Sequence, residues 1–435
     1  MSPSRETKRW VCRIVVLASA ASLPMMAQAQ VTLRGLGDLP GGRFYSVASG
    51  VSADGSTVVG WSEDREDRGT AFRWRADTGM VSLGRLAHPF SFGSAAYAVS
   101  ADGSVVVGEA FDFKNKGHPT DAFMWTEQDG IFSMGGTRPN GGLYGSKAFA
   151  ISDSGSIVVG SSDRVFQIHY PFARWTDSAG WEPLGPPFPD SQEIGFAFAV
   201  TPGGSAIVGV ANTITSGYQA FLWREGSGYE ILGDLPGGSF VHALATGISA
   251  DGSTVVGYSS SENNTNPYDY EAFRWTAKTG MVGLGDLPGG RFMSEAYAVS
   301  RDGTKIYGTS STTLPGGRAF VWEEKHGMRQ LAAVLAEEYG FDLKGWRLHA
   351  VNAVSADGRT LVGGGANPNG QSEAWILTLP SPCPADWNAD TTLNSQDFFD
   401  FLLAFFAGDA DFNADSITDT QDFFDFLAAF FEGCD

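Results

Sequence analysis

Residues 52–60 read SADGSTVVG, and residues 249–257 repeat the same nine letters. Five further variants of this phrase begin at residues 100, 152, 201, 300 and 355, so the seven starting points lie 48, 52, 49, 48, 51 and 55 residues apart. A period near 50 residues is typical of propellers, solenoids and other repeat arrays. The phrase therefore predicts a repeat architecture for most of the chain.

Each repeat carries four strand-like pieces. The first is small and apolar, as in 96–99 (AYAV), and the second is β-branched, as in 57–59 (TVV). The Asp-Gly pair between them favours a tight primed hairpin turn, in which both central residues have positive φ. The third piece is aromatic, as in AFRW (71–74), and the fourth resembles GMVSLG (79–84). Short strands separated by turn signals predict an all-β structure.

A tryptophan ends the third piece of every repeat, at positions 74, 125, 175, 223, 275, 322 and 375. A row of tryptophans could serve to stack sugar rings. Their fixed place within a strand favours packing between repeats instead, where a large ring buries the most area.

The fourth piece follows its own repeat only six times, because the seventh repeat stops at 375–377. The segment VTLRGLG (31–37) has the pattern of the missing piece. We therefore predict a seven-bladed β-propeller over 30–380, closed by its N-terminal strand. An open solenoid is the alternative, but it needs distinct caps at both ends. One insertion, LAAVLAEEYG (331–340), predicts a short helix.

The first 29 residues have the pattern of a secretory signal peptide. A basic segment precedes a short apolar run over 14–22, and Ala27-Gln28-Ala29 is a small-x-small cleavage site. The apolar run is too short to span a bilayer. We expect a secreted or cell-surface protein, cleaved near Ala29.

The repeat region resembles the bacterial extracellular HAF repeat family. The resemblance covers about 31–380 and depends on LGDLPGG (36–42, 232–238 and 284–290), the SADGSxVVG phrase and AFRW. It implies export and a repeat architecture. The family has no defined biochemical activity to transfer to this chain.

The composition changes after a linker at 381–385. Residues 383–435 hold twelve Asp and Glu and no Lys or Arg, out of a formal net charge of −20 for the chain. Nucleic-acid binding is disfavoured because no basic stripe is present to meet phosphates. Concentrated carboxylates indicate a cation instead.

Two segments 25 residues apart fit the oxygen-ligand spacing of a calcium loop: DWNADTTLNSQD (386–397) and DFNADSITDTQD (411–422). Each is followed by a helix-like, phenylalanine-rich run. We expect two Ca²⁺ ions, with Thr392 and Ile417 contributing carbonyl oxygens. The predicted ligands are Asp386, Asn388, Asp390, Thr392, Asn394 and Asp397, then Asp411, Asn413, Asp415, Ile417, Asp419 and Asp422.

This module, residues 386–435, resembles a dockerin of the type framed by cysteines. The resemblance implies an EF-hand-like fold and a cohesin-like partner, chosen by the tenth and eleventh loop positions: Ser395, Gln396, Thr420 and Gln421. One departure concerns the sixth position, where dockerins carry glycine and this chain has Thr391 and Ser416. Glycine suits a turn with positive φ, so calcium affinity is in question.

Cysteine usage agrees with export. Cys12 leaves with the signal peptide, so Cys383 and Cys434 remain at the two ends of the module. A pair of cysteines in an exported protein predicts a disulfide.

Two functions stay open. We favour a non-enzymatic binding or scaffold role, with a glycan or protein ligand on loops 61–70, 109–121, 161–171 and 258–271, where the candidate contacts are Asp112, Lys114, His118, Tyr268 and Tyr270. The alternative is a polysaccharide-degrading enzyme, since dockerins commonly accompany such enzymes. A glycosidase needs two carboxylates at a defined separation. Most Asp residues lie in repeated turns, which favours structural roles.

Overall fold

The computed structural model describes residues 31–64, 69–87, 93–111, 120–135, 145–162, 172–184, 191–213, 217–238, 241–264, 266, 268–314, 316–380, 383–388, 393–412 and 417–433. The predicted signal peptide lies outside these ranges. The chain divides into two compact units, one of residues 30–380 and one that contains residues 381–435. We call them the propeller unit and the loop–helix unit. No helix among the described residues is long and apolar enough to cross a membrane.

The propeller unit is built almost entirely of short strands. In chain order they are β1 (Thr32–Gly35), β2 (Gly41–Val51), β3 (Thr57–Asp64), β4 (Gly69–Arg75), β5 (Gly79–Gly84), β6 (Gly93–Val99), β7 (Val105–Phe111), β8 (Asp121–Thr126), β9 (Gly130–Ser133), β10 (Ser146–Ile151), β11 (Ile157–Ser162), β12 (Phe172–Thr176), β13 (Gly180–Pro183), β14 (Ser191–Val200), β15 (Ala206–Thr213), β16 (Gly217–Arg224), β17 (Gly228–Gly233), β18 (Ala243–Ile248), β19 (Thr254–Ser259), β20 (Glu271–Thr276), β21 (Gly280–Gly283), β22 (Ser294–Val299), β23 (Lys305–Ser310), β24 (Arg318–Glu323), β25 (Gly327–Gln330), β26 (Arg347–Val354), β27 (Thr360–Ala366) and β28 (Ser372–Thr378). The all-β prediction for this region is confirmed.

The strands form antiparallel meanders, the sheet pattern of a β-propeller. Five sheets each hold four consecutive strands: β6–β9, β10–β13, β14–β17, β18–β21 and β22–β25. The remaining eight strands form one sheet in the order β26-β27-β28-β2-β3-β4-β5, with β1 also on β28. A single parallel pair, Tyr45 opposite Ser372, joins β2 to β28. By contrast, β1 runs antiparallel along β28 from Thr32–Thr378 to Gly35–Trp375.

A serine hydroxyl joins neighbouring meanders in the same way at the chain ends and inside the chain. Ser46 accepts a hydrogen bond from the Ala374 amide at 3.0 Å and donates one to the Gly37 carbonyl at 2.5 Å. At an internal junction, Ser294 accepts from the Ala272 amide at 2.9 Å and donates to the Gly285 carbonyl at 2.6 Å. The first and last strands therefore meet with the chemistry of an ordinary junction.

The Asp-Gly turns differ from the predicted primed type. Gly55 has φ of 73°, but Asp54 does not have positive φ, and Lys344 is the one non-glycine residue in the described ranges that does. Ser52 pairs with Thr57, so the loop holds four residues, 53–56. The Asp54 carboxylate accepts from the Ser52 hydroxyl at 2.6 Å and from the Ser56 amide at 3.0 Å. These side-chain bonds stabilise the longer loop and explain the error.

The aromatic third strand supplies the core. Its phenylalanine is fully buried in five sheets, at Phe72, Phe123, Phe221, Phe273 and Phe320. Truncating such a ring to alanine typically costs about 3–5 kcal/mol. All seven repeated tryptophans pack in apolar clusters, and Trp74, Trp275 and Trp375 are buried outright. The packing interpretation of these tryptophans is confirmed.

The predicted insertion is a helix, α1 (Leu331–Tyr339). Leu331, Val334 and Leu335 are buried on one side, where they join the core formed with Leu348 and Trp375. Gly340 ends the helix with φ of 60°, a conformation that glycine adopts without a side-chain clash. The insertion thus extends an existing hydrophobic core and does not form a separate domain.

The described part of the loop–helix unit contains two helices, α2 (Ser395–Ala407) and α3 (Thr420–Glu432). Asn394 and Asp419 cap their N-termini, and each helix begins with a capping box. The rings of Phe401 and Phe426 stack in parallel, with centroids 3.9 Å apart and planes 1° from parallel. Both phenylalanines are fully buried, so this ring pair is the centre of the small core.

Candidate functional sites

Two carboxylates lie fully buried at matching points of the loop–helix unit. Asp397 accepts hydrogen bonds from the backbone amides of Asn394 at 2.9 Å and Asn388 at 3.3 Å. Asp422 accepts from the amides of Asp419 and Phe412, at 2.8 Å each. Each carboxylate therefore ties its loop to the start of the following helix. Burying an ionised carboxylate is costly unless hydrogen bonds and a counter-charge compensate.

The predicted calcium ligands are partly described. Asp386, Asn388, Asn394, Asp397, Asp411, Ile417, Asp419 and Asp422 lie in the described ranges, whereas Asp390, Thr392, Asn413 and Asp415 lie outside them, as do Thr391 and Ser416. Within those ranges no group of three or more His, Cys, Asp or Glu side chains converges as a metal site. The donor chemistry nonetheless fits Ca²⁺, because carboxylate, amide and carbonyl oxygens are its preferred ligands. Residues 383–435 contain no Lys or Arg that could supply the counter-charge.

The predicted partner-binding residues occupy equivalent places. Ser395 and Thr420 begin the two helices, and Gln396 and Gln421 follow. The side-chain amide of Gln396 donates to the Asp400 carboxylate at 2.8 Å, and the side-chain amide of Gln421 donates to the Asp425 carboxylate at the same distance. Two exposed surfaces with the same polar arrangement result from the duplication.

The cysteine prediction concerns the ends of the same unit. Cys383 is disulfide-bonded. Cys434, its predicted partner, lies outside the described residues, so the pairing stays a prediction.

The predicted ligand loops of the propeller unit are shorter than the sequence indicates. Residues 61–64 continue strand β3, and 69–70 begin β4. Asp112, Lys114 and His118 lie outside the described residues. Tyr268 is 77% exposed, whereas the Tyr270 ring stacks on His242 with centroids 4.7 Å apart. The Tyr268 side chain is therefore accessible to a ligand, whereas the Tyr270 ring already packs against His242.

Sequence reasoning missed a set of acidic residues that come one residue before the aromatic third piece. Glu373 accepts a hydrogen bond from the Gly37 amide at 2.9 Å, and Glu271 accepts one from the Gly285 amide at 3.1 Å. Burial, and then the Glu373 charge, raise the pKa of Asp38 above its ordinary value. The recurring acidic residue was visible in the repeats, but its partner is a backbone amide in an LGDLPGG turn, outside the strand that carries the acid. These carboxylates fasten the LGDLPGG turns.

A cavity of about 410 Å³ opens between β2, β22, β26, β27 and the start of β28. Its polar side chains come from Tyr45, Ser49, Tyr297, His349 and Asn352, together with Ser46 and Ser372. Burial, followed by the charges of Arg318 and Arg347, lowers the pKa of His349, so its imidazole is neutral at pH 7. Among the described residues, the cavity walls carry no carboxylate and no permanent cation.

Comparisons with known proteins give a likeness of fold. No protein-family model matches the chain, and no curated protein matches its sequence. Two puromycin hydrolase structures are 15% identical to it, with TM-scores of 0.52 and 0.51; the matches cover 78% and 77% of this chain and 52% of each hydrolase. The chain therefore spans about half the length of these hydrolases. At this identity, the likeness shows the fold alone.

Two further structures match less closely. TolB from Acinetobacter baumannii is 11% identical, with a TM-score of 0.38 and coverage of 62% of both chains. The β-propeller domain of the Trilobed protease from Pyrococcus furiosus is 10% identical, with a TM-score of 0.46 and coverage of 76% of this chain and 95% of that one.

Proposed function

We propose that the chain is an exported binding or scaffold protein in which a seven-bladed propeller presents a ligand surface and the loop–helix unit docks a cohesin-like partner in a calcium-dependent manner. The observation that carries the docking role is the pair of buried carboxylates, Asp397 and Asp422, in a stretch, residues 383–435, that has no Lys or Arg. Two cations bound by the neighbouring loops would neutralise them.

The duplicated geometry supports docking through either loop. Gln396 and Gln421 make the same contact, to Asp400 and Asp425, at the same distance of 2.8 Å. A partner that recognises one surface would find the same chemistry on the other. The resemblance to dockerins supports a cohesin-like partner.

Seven blades and ring closure are supported by the equivalence of the junctions. The Ser46 bonds at the chain ends match the Ser294 bonds inside the chain. Backbone hydrogen bonds also link neighbouring turns, from Ala53 to Ala101 and from Ala356 to Ala53, each at 3.0 Å. Deleting residues 31–37 should therefore lower the melting temperature of the whole propeller, and an unchanged melting temperature would contradict closure.

Surface plasmon resonance against a panel of recombinant cohesin domains, in calcium and in EDTA, tests the docking role. Gln396→Ala and Gln421→Ala should each leave binding nearly intact, because the other surface remains, whereas the double variant should lose it. Binding that survives both the double substitution and EDTA would refute the proposal. A reducing-sugar assay on the same protein with soluble polysaccharides addresses the enzymatic alternative, which sugar release would favour.

A further inference from the structure

The residue after the SADGSxVVG phrase has a side chain in six of the seven repeats. The residues at this position are Trp61, Glu109, Ser161, Val210, Tyr258 and Thr309. In the seventh repeat it is Gly364. Gly364 lines the 410 Å³ cavity. The cavity therefore lies where the repeat pattern omits a side chain.

Backbone geometry does not require this glycine. A Cβ atom placed on Gly364 would approach a Val47 methyl group at 3.6 Å, which is ordinary van der Waals contact, and its φ is not positive. Both neighbouring glycines differ. A Cβ on Gly363 would lie 1.9 Å from the Ala350 carbonyl oxygen, and one on Gly365 would lie 2.4 Å from that of Arg347. Gly364 alone of the three keeps space open that a larger residue could fill.

The cavity walls offer hydrogen-bonding groups that the described protein leaves unused. No hydrogen bond within the described residues involves the side chains of Ser49, His349 or Ser372, or the Tyr45 hydroxyl. The Asn352 amide donates to the Ala48 carbonyl at 2.7 Å, which leaves its oxygen as an acceptor. Polar groups that lack protein partners in a concave site are available to a ligand or to water.

Contacts with neighbouring side chains fix the two aromatic rings of the cavity wall, Tyr45 and Tyr297. The Tyr45 ring packs on Trp61, with centroids 5.0 Å apart. The Tyr297 hydroxyl donates to Glu295, which uses the hydroxyl proton and anchors the ring. Two fixed phenol rings and several neutral hydrogen-bonding groups therefore surround one space.

We propose that this cavity binds a neutral polyhydroxylated ring, such as a single sugar residue of a glycan. Sugar rings combine apolar faces, which stack on aromatic rings, with hydroxyls that both donate and accept hydrogen bonds. The neutral walls give no ion pair to a charged ligand, and the volume lies in the range of small-molecule sites. This assignment depends on the proposed binding role of the propeller, and it specifies the class of ligand and the location of the site.

The test uses the full chain and three probes, D-glucose, D-galactose and N-acetylglucosamine, observed by saturation-transfer difference NMR and titration calorimetry. At least one sugar should bind with a Kd on the order of 1 mM, the range of a weak single-ring site. Gly364→Tyr restores the residue type that another repeat carries and fills the cavity, so affinity should fall at least about tenfold, a change of roughly 1.4 kcal/mol.

Thr246→Val is the matched control. The Thr246 hydroxyl donates to the Ala296 carbonyl at 2.7 Å, as Asn352 donates to Ala48, but Thr246 does not line the cavity. This variant should bind like the parent protein. Should Gly364→Tyr fail to fold, Gly364→Val and Asn352→Leu replace it, each with an expected loss of affinity.

Two results would overturn the assignment. One is unchanged affinity in a folded, cavity-filled variant, and the other is no binding of any of the three sugars up to roughly 10 mM. Both leave the test of cohesin docking unaffected, because that test depends on Gln396 and Gln421 of the loop–helix unit. Failure of the cavity assignment is thus separable from failure of the proposed function.

Discussion

The Arg301 guanidinium forms an ion pair with the Asp153 carboxylate, although the two residues lie in hairpin turns of different sheets, 148 residues apart. Both line a small cavity of about 170 Å³ with the corresponding turn residues of the other repeats, Ala53, Ala101, Pro202, Ala250 and Ala356. The pair thus joins the third and sixth repeats where all seven sets of turns converge.

Arg301→Ala should lower the free energy of unfolding only slightly. Both side chains are about 40% exposed (40% and 43%), so water and salt screen the attraction, and exposed pairs contribute roughly 0–1 kcal/mol. A double-mutant cycle with Asp153→Ala, measured by urea unfolding at low and high salt, isolates the pair. A coupling energy well above 1 kcal/mol that does not depend on salt would contradict this prediction.

Ser46→Ala should destabilise the propeller by about 1–3 kcal/mol, because it leaves the buried Ala374 amide without its acceptor. Ser294→Ala is the matched internal control and should have a similar effect. Thermal unfolding of both variants checks the expectation. A neutral Ser46→Ala beside a costly Ser294→Ala would mean that the chain ends are not joined as an ordinary junction is.

Calcium should stabilise the loop–helix unit, and chelation should reverse the effect. A ligand present at 100 times its Kd adds about 2.7 kcal/mol. Asp397→Asn and Asp422→Asn should each reduce the calcium-induced rise in the melting temperature of helical circular dichroism. Asp409→Asn, at an exposed position outside both predicted ligand sets, is the control and should behave like the parent. An equal response to calcium in all three variants would argue against the site.

Asp121 should make stability depend on pH in a definite direction. Burial raises the pKa of Asp121 to about 6 from an ordinary value of 3.8. The unfolded chain therefore loses this proton at lower pH than the folded protein does, so stability falls as pH rises from about 4 to 6. Asp121→Asn should gain stability relative to the parent over that interval, on the order of 2 kcal/mol.

The stability contribution of Asp102 should change with pH in the opposite direction, so this residue serves as the control. The Ser100 hydroxyl, which donates to its carboxylate, holds the pKa of Asp102 below its usual value. Its stabilising contribution is present above the unfolded pKa and is lost as pH falls through the lower, folded pKa. Unfolding curves at pH 4, 5, 6 and 7 that showed no relative change for Asp121→Asn would disprove the burial argument.

The repeat phrase made the strands predictable because period and turn signals are local. Trp74 could be assigned to a packed position from its fixed place in AFRW, and Leu331 could be assigned to a helix. The turn at Asp54 could not be predicted correctly from the Asp-Gly pair alone. The Ser52 hydroxyl, which lies outside that pair, bonds the Asp54 carboxylate and stabilises a longer loop in place of the primed turn. A repeat pattern shows which residue occupies each position, but it does not show whether the space beside a glycine is filled by a neighbour. The cavity beside Gly364 could therefore be identified only from the positions of the surrounding strands.

The contact between Glu373 and Gly37 spans 336 residues of chain. Long-range pairings of this kind form slowly, since the entropy of closing the intervening chain must be lost before the contact contributes. The outer strand near residue 32 has no partner until the strand ending at residue 378 has been synthesised. Until then both strands expose edges on which another chain can assemble. Protection of these edges during synthesis is therefore a requirement that the architecture places on the cell.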